Sequence, residues 1–414
     1  MAKAGRTNHR YAESKSAVVA AAISVLNQKG VSRMTLSAVA ARVGLSAPTI
    51  QYYFSKKEDL AAACLMQGLL RLDEFLSKAE SENTARARLQ LFWSAYFDFR
   101  VRAASGEVEE FPSLSDVRGL NIESVVRAYG DVFRRLRRMI AGNGVFAKRK
   151  PAATAAAHLI LAELNWTPIS FRKVYPEDFV RFGSRLSDIL FNGIAAPGAD
   201  WTPVRMSVVL PEAESTDGGS FEIFLQAASS QINEQGYRGA SVEKISARIN
   251  LTKGAFYHHI KTKDEIVLAC FNRTFNVMRR TIISAEALGR TGLQTLATIA
   301  STLVEHQICG NAPLLRVSAV DTLSESDQLI IMSEIDAVVT RVAAVISDGI
   351  ADGSIRRIDA NLGAHVLMAM VNSSDELPFF AHDISPVDAV SLYVRPIFNG
   401  LLEAVDESEQ FQPA

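Results

Sequence analysis

What most limits the folds open to this chain is that its sequence states one pattern twice. Placing Gly30 over Gly236, an offset of 206, and keeping that offset without gaps aligns "NQKGVSRMTLSAVAARVGLSAPTIQYYFSKKEDL" with "NEQGYRGASVEKISARINLTKGAFYHHIKTKDEI". Identities are sparse, but the physical roles agree position by position. A repeat of this kind makes the unit, rather than the whole chain, the object to be folded.

Each copy opens with an amphipathic helix. Val18, Ala22 and Leu26 form an i, i+4 stripe matched by Phe224, Ala228 and Ile232, and Gly30 and Gly236 end it. Thr35 and Ser241 can cap a second helix of two to three turns. Its apolar face is Leu36, Val39, Ala40 and Val43 in one copy and Val242, Ile245, Ser246 and Ile249 in the other. That helix stops at Gly44 or Asn250, residue types that accept the left-handed conformation of a tight turn. Ser46 and Thr252 can then cap a third helix, with Pro48 and Gly254 in its first turn. Leu45, Ile50 and Phe54, matched by Leu251, Phe256 and Ile260, form its inward face. Ala47, Thr49, Gln51, Tyr52 and Tyr53, against Lys253, Ala255, Tyr257, His258 and His259, are left to the outer face and flanks.

Helix, tight turn and second short helix is the spacing of a helix-turn-helix, whose second helix fits the major groove of DNA. Any small helical domain has short helices and tight turns, but two copies with equivalent roles at one offset point to a real duplicated unit. At these residues the sequence resembles the tetracycline-repressor (TetR) family of bacterial transcription regulators. "TLSAVAARVGLSAPTIQYYFSKKEDL" and "SVEKISARINLTKGAFYHHIKTKDEI" carry the family's Thr-started or Ser-started helix, tight turn, Tyr-containing third helix and Lys-acid-acid-aliphatic segment. The resemblance implies that Thr35 and Ser241 lie against phosphate. It implies that Ala47, Pro48, Thr49 and Gln51, with Lys253, Gly254, Ala255 and Tyr257, face base edges. Tyr53, Lys57, His259 and Lys263 would grip the DNA backbone, with Ser46, Tyr52, Thr252 and His258 on the same surface. Gln51 departs from the Tyr usual there, and Lys56 stands where a Ser or Thr normally caps the fourth helix; Ser55 with Glu58, and Thr262 with Glu265, can supply capping boxes.

The repeat continues beyond the motif. His158, Asn165 and "FNG" at Phe191 to Gly193 recur as His365, Asn372 and Phe398 to Gly400 at offset 207. Strand-type alternation is nearly absent, so an all-α fold of two tandem units is expected, each a three-helix helix-turn-helix domain followed by the helical ligand-binding and dimerisation domain that the resemblance implies. The expected divisions are 11–60, 61–194, a linker at 195–219 rich in Pro, Gly, Ser and Asp, 220–266 and 267–405.

Charge separates the copies. Residues 1–60 hold nine Lys and Arg against three acids, whereas residues 220–268 hold six against five, so the first head should bind phosphate more strongly. The segment Lys3 to Arg10 suits either an arm on a DNA groove or a disordered tail. The net charge of −1 gives no global nucleic-acid signature. With no signal-type N-terminus and no long apolar run, a cytoplasmic location and no membrane partner are expected. Cys64, Cys270 and Cys309 are too scattered for a disulfide scaffold or zinc site and read as small buried residues. No phosphate loop, nucleophile elbow or clustered metal ligands are recognisable, so neither an enzyme nor a cofactor is expected.

Family members usually dimerise through the last two helices, here 151–171 with 178–194 and 359–380 with 386–405. Covalent linkage favours their pairing within one chain, as an intrachain pseudo-dimer on an asymmetric double-stranded operator; a homodimer of tandem units is the other arrangement. "LFWSAYFDFR" offers Trp93, Tyr96 and Phe97 either to a pocket for a small hydrophobic or aromatic effector or to plain core packing. His158 and His365 are either pocket residues or interhelical hydrogen-bonding groups. The competing reading is a ligand-binding or protein-interaction scaffold with one degenerate head.

Overall fold

The computed structural model describes residues 2–115, 117–141, 146–208, 218–249, 262–309, 313–380 and 386–402. No β-strand occurs among them; one isolated antiparallel bridge joins Ala195 to Ile355. The first unit comprises α1 (Ala2–Arg33), α2 (Leu36–Val43), α3 (Ala47–Tyr53), α4 (Lys57–Ala79), α5 (Ala85–Ala104), α6 (Val117–Leu120), α7 (Glu123–Ala141), α8 (Phe146–Ser170) and α9 (Phe179–Asn192). The second comprises α10 (Gly218–Gly239), α11 (Val242–Arg248), α12 (Lys263–Glu286), α13 (Gly292–Cys309), a 3₁₀ turn at Val317–Thr322, α14 (Glu325–Ala351), α15 (Ala360–Ser373), α16 (Leu377–Phe380) and α17 (Pro386–Asn399). Both opening helices break at the aligned glycine, Gly30 with φ 63° and Gly236 with φ 69°. That backbone conformation is one that glycine adopts without steric penalty.

The stripes predicted on α1 and α10 are buried, Val18, Ala22 and Leu26 in one unit and Phe224, Ala228 and Ile232 in the other. The first head has a core of its own around Ile23, Met34, Val39 and Ile50, whereas α10 packs into the large core shared by the two helical bodies. The expected linker is docked over its described part: Trp201 stacks on Phe398 at 5.0 Å, and Val204 N donates to Thr298 Oγ1 at 3.0 Å. Cys64 and Cys270 are buried, and burial pushes each thiol up to about 12; Cys309 is exposed, contrary to the buried reading, because it lies at the last position of α13.

The two bodies meet through α8 and α9 on one side and α15 and α17 on the other. At the seam the two "FNG" motifs face each other. A Cβ placed on Gly193 would lie 2.1 Å from the carbonyl oxygen of Phe398, and one on Gly400 would lie 2.2 Å from that of Phe191. The approach brings backbone hydrogen bonds across in both directions, Ile194 N to Phe398 O at 3.1 Å and Leu401 N to Leu190 O at 2.7 Å. Around this contact Arg356 donates to Gly193 O and Asp188, and Arg185 pairs with Asp359 at 2.8 Å.

Deeper in the seam the polar groups are asymmetric. His158 Nδ1 lies 2.8 Å from Tyr393 Oη, while Trp166 Nε1 donates to His365 Nδ1 at 3.2 Å. Glu163 is buried with Oε1 lacking a hydrogen-bond partner, and desolvation raises its carboxyl well above the usual range. The position offset from it by 207 is Met370.

Two outcomes follow from the seam. Gly193→Ala adds a methyl where a carbonyl already sits and forces φ 66° on a residue with a side chain, so urea denaturation should show a loss of about 3 kcal/mol. Glu163 stays protonated in the folded chain at pH values where the unfolded chain releases that proton. Stability therefore falls as pH rises above the ordinary carboxyl range, by up to about 1.4 kcal/mol per pH unit, until the raised folded value is reached. Glu163→Gln removes this dependence, so its advantage over the parent chain should grow between pH 5 and pH 8 in the same denaturation experiment.

Candidate nucleic-acid interface

The first head builds its turn as its residues dictate. Thr35 Oγ1 accepts from Ala38 N at 3.1 Å and so caps α2, and Gly44 ends α2 in the left-handed conformation with φ 70°. Ser46 then caps α3, its Oγ accepting from Thr49 N at 3.3 Å and lying 2.7 Å from Thr49 Oγ1. Pro48 sits in the first turn, where its missing N–H costs nothing. Ile50 and Phe54 are buried and fix α3 against α1 and α2, but Leu45, expected to help, is 37% exposed. It lies in the turn before α3, where no helix of the head covers it.

This anchoring leaves a continuous outward surface. Pro48, Gln51 and Tyr52 are exposed, Ala47, Thr49 and Tyr53 are half-buried, and the Tyr52 and Tyr53 rings meet edge to face at 5.3 Å. Thr35 is exposed at the start of α2, so its hydroxyl still has a proton to donate outward. Among the expected contacts, Ser46 is already engaged as a cap.

Lys57 is turned inward, which corrects its expected place on the DNA backbone. Its Nζ donates to the carbonyls of Val31, Ser32 and Met34 at 3.1, 2.8 and 3.1 Å, closing the end of α1 onto α4. An ammonium group has three protons, and all three are used. The aligned Lys263 behaves similarly: its Nζ lies 4.3 Å over the Tyr237 ring, and burial lowers its pKa. The start of α4 also differs from expectation, because Asp59 rather than Glu58 closes it, Oδ2 accepting from Lys56 N and Ser55 Oγ. The second-unit capping box is as expected, with Glu265 N donating to Thr262 Oγ1 at 3.2 Å and Thr262 N to Glu265 Oε2 at 3.4 Å.

In the second head Ser241 caps α11, its Oγ accepting from Lys244 N at 3.3 Å. Thr252, Lys253, Gly254, Ala255, Tyr257, His258 and His259 lie outside the described residues.

One element of the heads escapes motif reasoning. Asn27 Nδ2 donates to Phe111 O at 3.0 Å while Ser113 N donates to Asn27 Oδ1 at 2.9 Å. The aligned Asn233 repeats this clip with Leu314 O at 2.9 Å and Arg316 N at 3.1 Å. Each head is thereby tied to the loop after the second helix of its own body. A signal for it is present, since these asparagines are identical at offset 206 in "NQKG" and "NEQG".

Of the body residues expected to face a ligand, Trp93, Tyr96 and Phe97 are buried against one another, Trp93 and Phe97 stacking at 5.7 Å and Phe97 on Phe171 at 5.6 Å. His158 and His365 lie at the seam between the bodies. No group of His, Cys, Asp or Glu suited to a metal ion occurs among the described residues, and no helix among them is long and apolar enough to cross a membrane.

Parts of the chain are similar to known proteins. The family described as bacterial regulatory proteins, tetR family, matches residues 18–64 and again 224–270, the two heads. The Transposon Tn10 TetC protein of Escherichia coli is 24% identical over 148 residues, covering 36% of this chain and 74% of that protein. Among solved structures, the TetR family regulator PfmR from Thermus thermophilus is 21% identical with a TM-score of 0.36, covering 43% of this chain and 98% of its own. AibR in complex with isovaleryl coenzyme A and operator DNA is 20% identical with a TM-score of 0.34, covering 43% and 97% respectively.

The inward position of Lys57 gives a testable distinction. Lys57→Met should destabilise the chain by about 1–3 kcal/mol in thermal unfolding, because three carbonyls lose a charged donor. It should leave the salt dependence of DNA affinity unchanged, whereas loss of a phosphate contact would lower that slope by about one.

Proposed function

We propose that this chain, in which the tetR-family model matches residues 18–64 and 224–270, carries two such regulatory units in tandem and is a ligand-responsive transcriptional repressor whose heads act as an intramolecular pseudo-dimer on one operator. The observation that carries the pairing is the reciprocal contact of Gly193 and Gly400, a seam of backbone hydrogen bonds within a single chain. Thr35 and Tyr53 position the first head on phosphate, and Ala47, Pro48, Thr49 and Gln51 face base edges. Ser241 and His259 take the positioning role in the second head, with Lys253, Gly254, Ala255 and Tyr257 toward the bases.

The two recognition surfaces differ at every base-facing position, so the operator is asymmetric. A Gln side chain presents both a donor and an acceptor and suits adenine in the major groove; Lys253 suits guanine. The greater positive surplus of the first head makes it the main source of salt-sensitive affinity. An effector acts by changing the relation between the bodies and hence between the heads, a coupling of about 1–3 kcal/mol.

Selection of bound sequences from random DNA, followed by footprinting, tests the reading. The expected result is a non-palindromic site protected by one chain. Gln51→Ala should relax specificity in one half of that site by about 1–3 kcal/mol and Tyr257→Ala in the other half. A perfect inverted repeat occupied by two chains would overturn the pseudo-dimer, and no sequence preference at low salt would overturn the regulator.

A further inference from the structure

His158 and His365 occupy equivalent positions, yet their surroundings differ. His158 meets the Tyr393 hydroxyl, and its ring lies 5.3 Å from that of Phe380. At the position equivalent to Tyr393 the first unit has Leu186, which has no hydroxyl to offer His365. His365 accepts instead from the Trp166 indole, and an indole N–H is a donor only. Nδ1 therefore carries no proton, and the neutral ring holds its single proton on Nε2. Burial, the main cause, depresses the imidazole to about 4, so the ring is neutral at pH 7. Although His365 is only 7% exposed, Nε2 has no hydrogen-bond partner among the described residues.

The ring lines a cavity of about 340 Å³ between the end of α8, the start of α9, and helices α14 and α15. This is within the usual size of small-molecule sites. Ile169, Phe182 and Val339 give it an apolar wall. Two of its three carboxylates are satisfied: Asp336 by Arg172 and Lys173, each at 2.7 Å, and Asp359 by Arg185 at 2.8 Å and by Leu362 N. Asp178 is exposed at the start of α9. Arg181, also exposed at the rim, forms no ion pair among the described residues.

We propose that this cavity binds a small organic carboxylate, one oxygen accepting from His365 Nε2–H, the apolar body lying on Ile169, Phe182 and Val339, and Arg181 balancing the charge. The protonated Nε2 decides the class. A metal ion needs the lone pair that this nitrogen lacks, and an ammonium group meets a donor where it needs an acceptor. A bound carboxylate gives an acceptor to the Nε2–H, which faces the cavity and has no partner among the described residues, and an analogue without that acceptor is discriminated against. The site spans both bodies, so it supplies the place where the ligand response proposed above would act. For that regulatory consequence alone it rests on that reading.

The test uses the full chain without DNA, observing its seven histidines by long-range ¹H–¹⁵N correlation. Hexanoate and phenylacetate are the probes, with hexanamide and hexylamine as neutral and cationic comparators. A carboxylate should saturably shift the Nε2 signal of one histidine that is already in the Nε2–H form at pH 7, with the amine inert and the amide at least tenfold weaker. His365→Phe should abolish binding and His365→Gln, which keeps a donor, should restore part of it. Arg181→Gln, at an exposed position that leaves the fold intact, should weaken binding about tenfold. No responding histidine with either acid, or a response unchanged in His365→Phe or Arg181→Gln, overturns the site. DNA affinity is measured separately by anisotropy. Carboxylate binding that leaves that affinity unchanged supports the site and sinks the ligand-response reading, whereas a silent histidine in a chain that binds DNA sinks the site alone.

Discussion

At Gly193 and Gly400 the backbones of the two units approach so closely that no side chain fits between them, and the arrangement of the bodies depends on it. Each glycine faces a carbonyl of the opposite unit where any side chain would collide. The backbone amides just beyond them then reach across, Ile194 to Phe398 and Leu401 to Leu190. With that separation set, α8 and α9 lie against α15 and α17, and water is excluded from their contact. Most polar groups caught there find partners across the seam, His158 with Tyr393, Trp166 with His365 and Arg356 with the Gly193 carbonyl, and Glu163 Oε1 is the exception.

How far the sequence is legible depends on how local each interaction is. Thr35, Ser46, Ser241 and Thr262 cap helices within three residues, and Gly30, Gly44 and Gly236 stop them by their own conformational freedom, so motif reading places them correctly. The all-α fold follows from the same short-range periodicity. Lys57 defeats such reading because the carbonyls that hold it lie 23 to 26 residues away, at the end of another helix. A lysine beside a recognition helix looks alike in sequence whether it faces phosphate or carbonyl oxygen. Leu45 and Cys309 depart from expectation for the opposite reason: their residue types favour burial, but a turn and a helix end leave them uncovered. Glu163 gives no signal, since a carboxylate among apolar helix positions is normally solvent-facing.

Joining both units in one chain removes a restriction that a symmetric dimer imposes. In a homodimer each seam residue appears twice, so a large side chain near the axis must accommodate its own copy. Here Trp166 corresponds to Ser373, Tyr393 to Leu186 and Glu163 to Met370. The indole therefore meets a histidine rather than a second indole, and a single buried carboxyl stands where a symmetric pair would put two acids near one another. The same freedom accounts for the unequal heads, which differ at every position aligned with Ala47, Pro48, Thr49 and Gln51 and in charge, while Thr35 and Ser241 both cap the helix that follows them.

The joints between heads and bodies cross. Asn27 and Asn233 clip each head to its own body, but the broken ends of the opening helices meet the other body: Gly30 lies against Asp321, Gly236 against Gly119, and Arg33 donates to the Leu323 carbonyl. The short α6 and the 3₁₀ turn at Val317–Thr322 thus each touch the head of the opposite unit. Each body is thus joined to one head by an asparagine clip and to the other by a glycine contact. Both heads are therefore held to both bodies, so in the proposed regulator a relative rotation of the bodies would act on the two heads together.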